Sequence, residues 1–373
     1  PSKSERNILL IEEHRKLVEG FWNAVLSYGR IPASDEFNET KTVIDTFGSA
    51  KKLFNLLMTG ERKEQFEKAK VLRQEDYLVY FALGLFSKRL PYKNMSEEKK
   101  RDIKALFLSI NSGREEAKEL LFQIANNEIL HDAALKSSKY IPSIYNVEHS
   151  ILLNAKYINE LPVILRVYVG AAAVMYGDWN EADVIKIHLT SGKVTFMVYD
   201  DFYNKAVPRI TERVKVKLAQ QDIDYFDYVN EIKRPPLLNK HELMDKKDEQ
   251  YKDQERLDRK LIQLGAVQSS GEQHMSINEF NGKLSTLNKE IKGYRIDSIG
   301  AVSEMNVRSK LRGKNPYMTE KKVKFEFEKH NKNSVRYKEV PEDGMPPVIG
   351  SIYVQKWFAG DSKNIEVTIK KKD

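Results

Sequence analysis

The chain is 373 residues long, carries 62 Lys and Arg against 54 Asp and Glu for a net charge of +8, and contains no cysteine. The lack of thiols excludes disulfides, thiolate catalysis and cysteine-based zinc or iron–sulfur centres. No apolar run approaches the ~20 residues of a membrane span, and Pro1-Ser2-Lys3-Ser4 is not the apolar core of a signal peptide. A hydrophobic content of 41% and an aromatic content of 10% predict a folded cytoplasmic protein of about two or three domains. The first residue is not Met, which fits a processed product or one whose upstream domain is absent.

From Glu5 to about Tyr176 the period is helical. Ile8, Ile11, Leu17, Val18, Phe21, Trp22, Val25 and Leu26 recur three and four apart and line one helix face. Gly29 with Pro32 beyond it predicts the stop, and Ser34 or Asp35 can cap the next helix. Tyr77-Leu78-Val79-Tyr80-Phe81-Ala82-Leu83 is apolar nearly all round and predicts a core helix. Ser96-Glu97-Glu98 opens a helix carrying Ile103, Leu106 and Phe107. Ser112-Gly113-Arg114-Glu115 marks a boundary before another, with Leu120, Leu121 and Ile124 inward. Leu161 to Tyr176 is the least polar stretch, and Gly170-Ala171-Ala172-Ala173 lets another element come close. Arg166 in its middle needs either an acid partner or a ligand.

After Gly177-Asp178 the period becomes strand-like. In Val184–Leu189, Ile185, Ile187 and Leu189 fall on one side, with Lys186 and His188 on the other. Thr190-Ser191-Gly192-Lys193 predicts a hairpin turn into Val194–Tyr199. Beyond Asp200-Asp201-Phe202, Arg213, Lys215 and Lys217 alternate with Val214, Val216 and Leu218. If both segments join one sheet, Lys186, His188, Arg213, Lys215 and Lys217 share a surface suited to a polyanion. Arg234-Pro235-Pro236 ends this unit. His241 to Leu264, charged with both signs, reads as a solvated helix or connector, and Ser276 to Leu287 adds a short helix. Asn306 to Lys324 is strongly basic, with Arg308, Lys310, Arg312 and Lys314 among its cations. Strand candidates follow at Val323–Phe327, Val335–Val340, Val348–Val354 and Ile365–Ile369. The expected fold class is α+β. A helical domain spans 1–176, an antiparallel β unit with a cationic face 177–236, a charged helical connector 237–304, and a basic linker with a small β domain 305–373.

Several ordered segments carry a resemblance. They are Gly29-Arg30-Ile31-Pro32, Phe47-Gly48-Ser49, Glu75-Asp76-Tyr77-Leu78-Val79-Tyr80 and Arg101-Asp102-Ile103-Lys104-Ala105-Leu106-Phe107. Leu165-Arg166-Val167-Tyr168-Val169-Gly170, Ala182-Asp183-Val184-Ile185-Lys186-Ile187-His188, Tyr199-Asp200-Asp201-Phe202, Pro235-Pro236-Leu237-Leu238 and Gly293-Tyr294-Arg295 continue the series. Together they resemble the region downstream of the methyltransferase domain in the bacterial DNA phosphorothioation-associated methyltransferase family. The resemblance covers roughly the first four-fifths of the chain, through scattered segments of which none is diagnostic alone. The glycine-rich cofactor loop of a methyltransferase is not among them, so methyl transfer does not carry over. What the resemblance implies is a setting: a bacterial anti-phage defence or DNA-modification system, with partner subunits.

Three functions follow as expectations. The first is DNA binding, because Lys and Arg that neutralise phosphates release condensed counterions and give a salt-sensitive anchor. Lys186, His188, Lys193, Arg213, Lys215 and Lys217 would make those contacts, joined by Arg308 and Arg312, with Arg166 organising the site from behind. The plain alternative is an ordinary solvated sheet face. The second is a nuclease in which Asp183, Asp200 and Asp201 hold Mg²⁺ while Lys186 and His188 stabilise charge or move a proton. Against it, Asp183 to Lys186 lacks the acid-x-Lys spacing of the common restriction-nuclease core. Asp222, Asp224 and Asp227 have calcium-like spacing without the glycine and terminal Glu of an EF-hand loop, and read as surface acids pairing with the basic strand. The third is a protein-interaction scaffold without catalysis. Tyr199, Phe202, Tyr203, Tyr225, Phe226 and Tyr228 flank the cationic strands and serve either to stack bases or to pack the core.

Overall fold

The computed structural model describes residues 3–86, 92–177, 179–228, 234–269, 271, 275–299, 320–331, 334–341 and 347–370. The chain divides at Ile124 and Ala125 into two units. The first holds helices α1 (Lys3–Glu13), α2 (Arg15–Tyr28), α3 (Thr40–Phe47), α4 (Ala50–Leu57), α5 (Gly60–Leu83), α6 (Glu97–Phe107) and α7 (Ile110–Gln123). The apolar stripe of α2 is buried against Val43, Phe47, Leu53, Leu57 and Phe66. Gly29 ends α2 at φ 61°, a left-handed conformation that glycine takes without steric cost. Ser49, Ser96 and Ser109 cap α4, α6 and α7 by accepting from the backbone N–H groups of Lys52, Lys99 and Ser112.

Two boundaries differ from the sequence reading. Ser34 and Asp35 cap no helix: α3 starts only at Thr40, and Asp35 instead pairs with Arg101 at 2.8 Å. Ser112-Gly113 lies inside α7, whose true cap is Ser109. Gly113 belongs there because a Cβ would stand 2.7 Å from the Phe81 ring and 3.0 Å from that of Phe107.

The second unit opens with α8 (Asn127–Ser137) and a six-stranded antiparallel sheet. Its strands run in chain order: β1 (Ser143–Asn146), β2 (Ser150–Asn154), β3 (Val184–His188), β4 (Lys193–Tyr199), β5 (Ile210–Lys217) and β6 (Asp222–Asp227). Helix α9 (Val163–Tyr176) lies between β2 and β3 in sequence. The sheet unit therefore begins well before residue 177. β2 is buried at every position, so it shows no period-two alternation for a sequence reading to find. α9 packs on β4 and β5, with the Tyr176 and Phe196 rings 5.4 Å apart. Ile185, Ile187, Val194, Val214 and Val216 lie on that face, all almost wholly buried. Such side chains contribute roughly 1.5–3 kcal/mol each, which fixes which way Lys186 and Lys215 must point.

The stretch read as a connector is part of the same body. Within it are α10 (Tyr251–Gln263), α11 (Ile277–Thr286) and the hairpin β7 (Lys289–Lys292) and β8 (Arg295–Ser298). Leu257, Leu261, Phe280, Leu284 and Ile296 join Ala206 and Leu238 in one apolar cluster. The other charges of α10 occupy its outer side, while Gln254, Leu257, Asp258 and Leu261 recur at helical spacing on the inner one. A second sheet, in the order β11-β10-β9-β12, comprises β9 (Glu320–His330), β10 (Ser334–Glu339), β11 (Ser351–Gln355) and β12 (Asn364–Lys370), with α12 (Lys356–Ala359) before β12. It packs beside β5 and β6: Arg336 donates to Glu212 at 2.6 Å, and Tyr353 stacks on Tyr225 at 4.5 Å. The fold is α+β. Among the described residues no helix is long and apolar enough to cross a membrane. Arg308 and Arg312 of the basic linker lie outside the described residues.

Candidate nucleic-acid interface

Residues paired across antiparallel strands point to the same face, as do residues two apart on one strand. Lys186 pairs with Thr195, Thr195 with Lys215, and Lys215 with Asp224. One row along, Lys193 pairs with Lys217 and Lys217 with Asp222. One row the other way, Met197 pairs with Arg213 and Arg213 with Phe226. His188 follows Lys186 by two residues on β3. The register thus brings Lys186, His188, Lys193, Arg213, Lys215 and Lys217 onto the face opposite α9, each half-buried.

Their electrostatic roles differ. Burial, then the charges of Lys186, Lys215 and Lys193, push the His188 imidazole down to about 4. His188 is therefore a neutral hydrogen-bonding group near pH 7, not the additional cation the sequence allowed. Its Nε2 lies 3.1 Å from Thr195 Oγ1, and its backbone carbonyl accepts from Tyr168 Oη at 3.0 Å. Burial and the neighbouring Arg213 and Lys193 lower the Lys215 pKa, with Asp224 opposing. Lys217 is the exception: it bonds Asp224 at 2.7 Å and Asp222 at 3.0 Å, which raises its pKa and offsets its charge. Asp222 and Asp224 of β6 do pair with the basic strand, through Lys217, while the Asp227 side chain lies outside what the structure describes. Arg213 is held flat, its guanidinium carbon 4.4 Å from the Phe226 centroid and 5.7 Å from that of Tyr228, and its buried Nε has no hydrogen-bond partner. Lys193, Arg213 and Lys215 form no ion pair with the described residues.

The rest of this face is covered. Ile144, Leu152, Val184, Met197 and Ile210 meet Phe202, Leu237 and Leu243. The candidate nuclease carboxylates lie toward that end and are engaged in shaping turns. Asp183 accepts the Tyr199 N–H at 2.8 Å, and burial raises its pKa. Asp200 accepts the Arg209 N–H at 2.7 Å, Arg209 Nε at 3.1 Å and Lys205 Nζ at 3.0 Å. Asp201, at φ 96°, accepts from the Asn204 N–H and Nδ2. Asp183 precedes β3 while His188 ends it, roughly 16 Å further along the strand, with Lys186 roughly 10 Å from Asp183. Among the described residues no three His, Asp or Glu are grouped to hold a metal ion. Arg166 sits half-buried on α9, the helix that covers the other face.

Two polar sites escaped the sequence reading. Lys240 is 1% exposed, donates to the Lys205 carbonyl at 2.9 Å and lies 5.2 Å from the Phe202 centroid. Burial pushes its pKa down to about 8 against the attraction of Asp258, Asp201 and Asp183. In the first unit, buried Asp102 accepts from Arg30 at 2.6 Å and from Arg73 and Tyr77 at 2.8 Å each, while Arg30 also forks onto Glu36. Segments 29–32, 75–80 and 101–107, which carry part of the resemblance, meet in this network. Comparison with protein-family models, curated proteins and solved structures finds no match to the chain.

Proposed function

We propose that the protein binds nucleic acid, DNA in the first place, through the open half of the β3–β5 face, as an accessory component of a bacterial phosphorothioation-linked defence or DNA-modification system. The observation that carries the reading is the row-by-row placement of Lys193, Arg213 and Lys215 on one face, none of them in an ion pair with the described residues although Asp224 stands opposite Lys215. Cations held beside one another repel, and a phosphate backbone relieves that repulsion while releasing its own counterions. Lys193 and Lys215 act as point charges, Arg213 offers a planar fork, and neutral His188 adds a hydrogen bond. The defence setting comes from the sequence resemblance alone. A titration with duplex and single-stranded DNA, with and without phosphorothioate, tests the reading at two salt concentrations. Binding that weakens steeply with salt is expected, and its absence at low salt overturns the proposal.

A second reading, docking of a partner subunit, is favoured by α12. Trp357 is 85% and Phe358 72% exposed, with ring centroids 5.8 Å apart. Aromatic side chains so placed are enriched in protein interfaces.

A further inference from the structure

We infer that the cavity beside Arg213 receives a single nucleotide, its phosphate on the Arg213 guanidinium and its base against the apolar wall. This rests on the nucleic-acid reading and adds the place where one base leaves the strand. Arg213 stands where the open cationic half of the face meets the covered half, and it lines a cavity of about 320 Å³. Ile144, Leu152, Met197 and Leu237 form the apolar wall, and Glu279 at the start of α11 closes another side. That volume lies at the lower end of small-ligand sites and suits one nucleotide, not a stretch of duplex.

Each part of a nucleotide has a counterpart there. Phe226 and Tyr228 hold the guanidinium in a fixed plane, so little side-chain freedom is lost when a phosphate docks. Arg213 is half-buried and lines the cavity, so its guanidinium is the cation that a phosphate entering there would meet. The wall shields a flat base from water, offsetting the few kcal/mol of unstacking. Glu279 is fixed by accepting the Ser276 N–H at 2.6 Å and Ser276 Oγ at 2.9 Å through one oxygen, Oε2. Glu279 lines the same cavity and offers a carboxylate acceptor there. Adenine, cytosine and guanine would offer it an exocyclic amino group, and thymine its ring N3–H.

The test is methyl NMR of the full chain, observing Ile144, Leu152, Met197 and Leu237 during titration with 5′-dAMP, 5′-dCMP, 5′-dTMP, inorganic phosphate and a short single strand. The mononucleotides and the strand should shift these methyls, and phosphate alone should leave them unmoved. Arg213→Gln should weaken the nucleotide response about tenfold while the apo spectrum stays folded. A strand that binds with salt dependence yet leaves the cavity methyls unshifted overturns this inference and leaves the DNA-binding face standing. Mononucleotides that shift the methyls when no strand binds uphold the cavity and overturn the DNA-binding face.

Discussion

His188 Nε2 lies 3.1 Å from Thr195 Oγ1 on the neighbouring strand, and burial first, then the charges of Lys186, Lys215 and Lys193, keep its imidazole neutral. The ring is therefore a reporter for the charge above it. A phosphate backbone laid on the lysines removes the repulsion that lowers the His188 pKa. The value, about 4 in the free protein, should rise on DNA binding, read by NMR titration of the imidazole with and without a short duplex. An unchanged titration in a demonstrated complex would place the DNA elsewhere.

The same shift sets an acid sensitivity. The folded value of about 4 lies below the ordinary 6.5, so the unfolded chain binds more protons between those limits. Stability should fall as pH drops through that window and be fully present above it. Thermal unfolding of wild type and His188→Gln from pH 7 to 4 should show a steeper acid loss in wild type. Parallel curves would contradict the burial argument.

Asp102 holds the network of the first unit. Its side chain is fully buried and takes hydrogen bonds from Arg30, Arg73 and Tyr77. Asp102→Ala leaves the buried Arg30 guanidinium with Glu36 and the Ile31 carbonyl, and removing one member of a buried pair costs about 3–5 kcal/mol. Urea unfolding of the full chain measures it, and a loss below about 1 kcal/mol would mean that water replaces the carboxylate.

Gly113→Ala inverts the usual helix preference. In a helix interior Ala is favoured over Gly by about 1 kcal/mol. Here the new Cβ would stand 2.7 Å from Phe81 Cε2 and 3.0 Å from Phe107 Cγ. Overpacking of that kind costs about 1–3 kcal/mol, so the melting temperature should drop. A rise would show that the two rings move aside freely.

Legibility followed burial. β3 and β5 could be read because one side of each faces α9 and the other carries charge, so apolar and basic residues alternate cleanly. β2, Ser150-Ile151-Leu152-Leu153-Asn154, is covered on both faces and reads as a generic apolar run. Gly113 looked like punctuation because sequence cannot show the rings of Phe81 and Phe107 converging on it. Arg30 and Asp102 are 72 residues apart, and nothing local ties them together. Lys240 sits in a run of charges where burial of one member leaves no trace, and the neutrality of His188 depends first on its burial and then on lysines from three strands.

The most direct measurement compares charge reversals on and off the face in a salt-dependent DNA titration. Lys193→Glu/Lys215→Glu changes the cationic rows, while Lys246→Glu/Lys247→Glu makes the same change in net charge at exposed positions outside them. The first pair should weaken binding at least tenfold and reduce the slope of log affinity against log salt by about 2, since each phosphate contact contributes about 0.9. The second pair should leave that slope intact. Equal losses from both pairs, or none from the first, would contradict the assignment of the β3–β5 face.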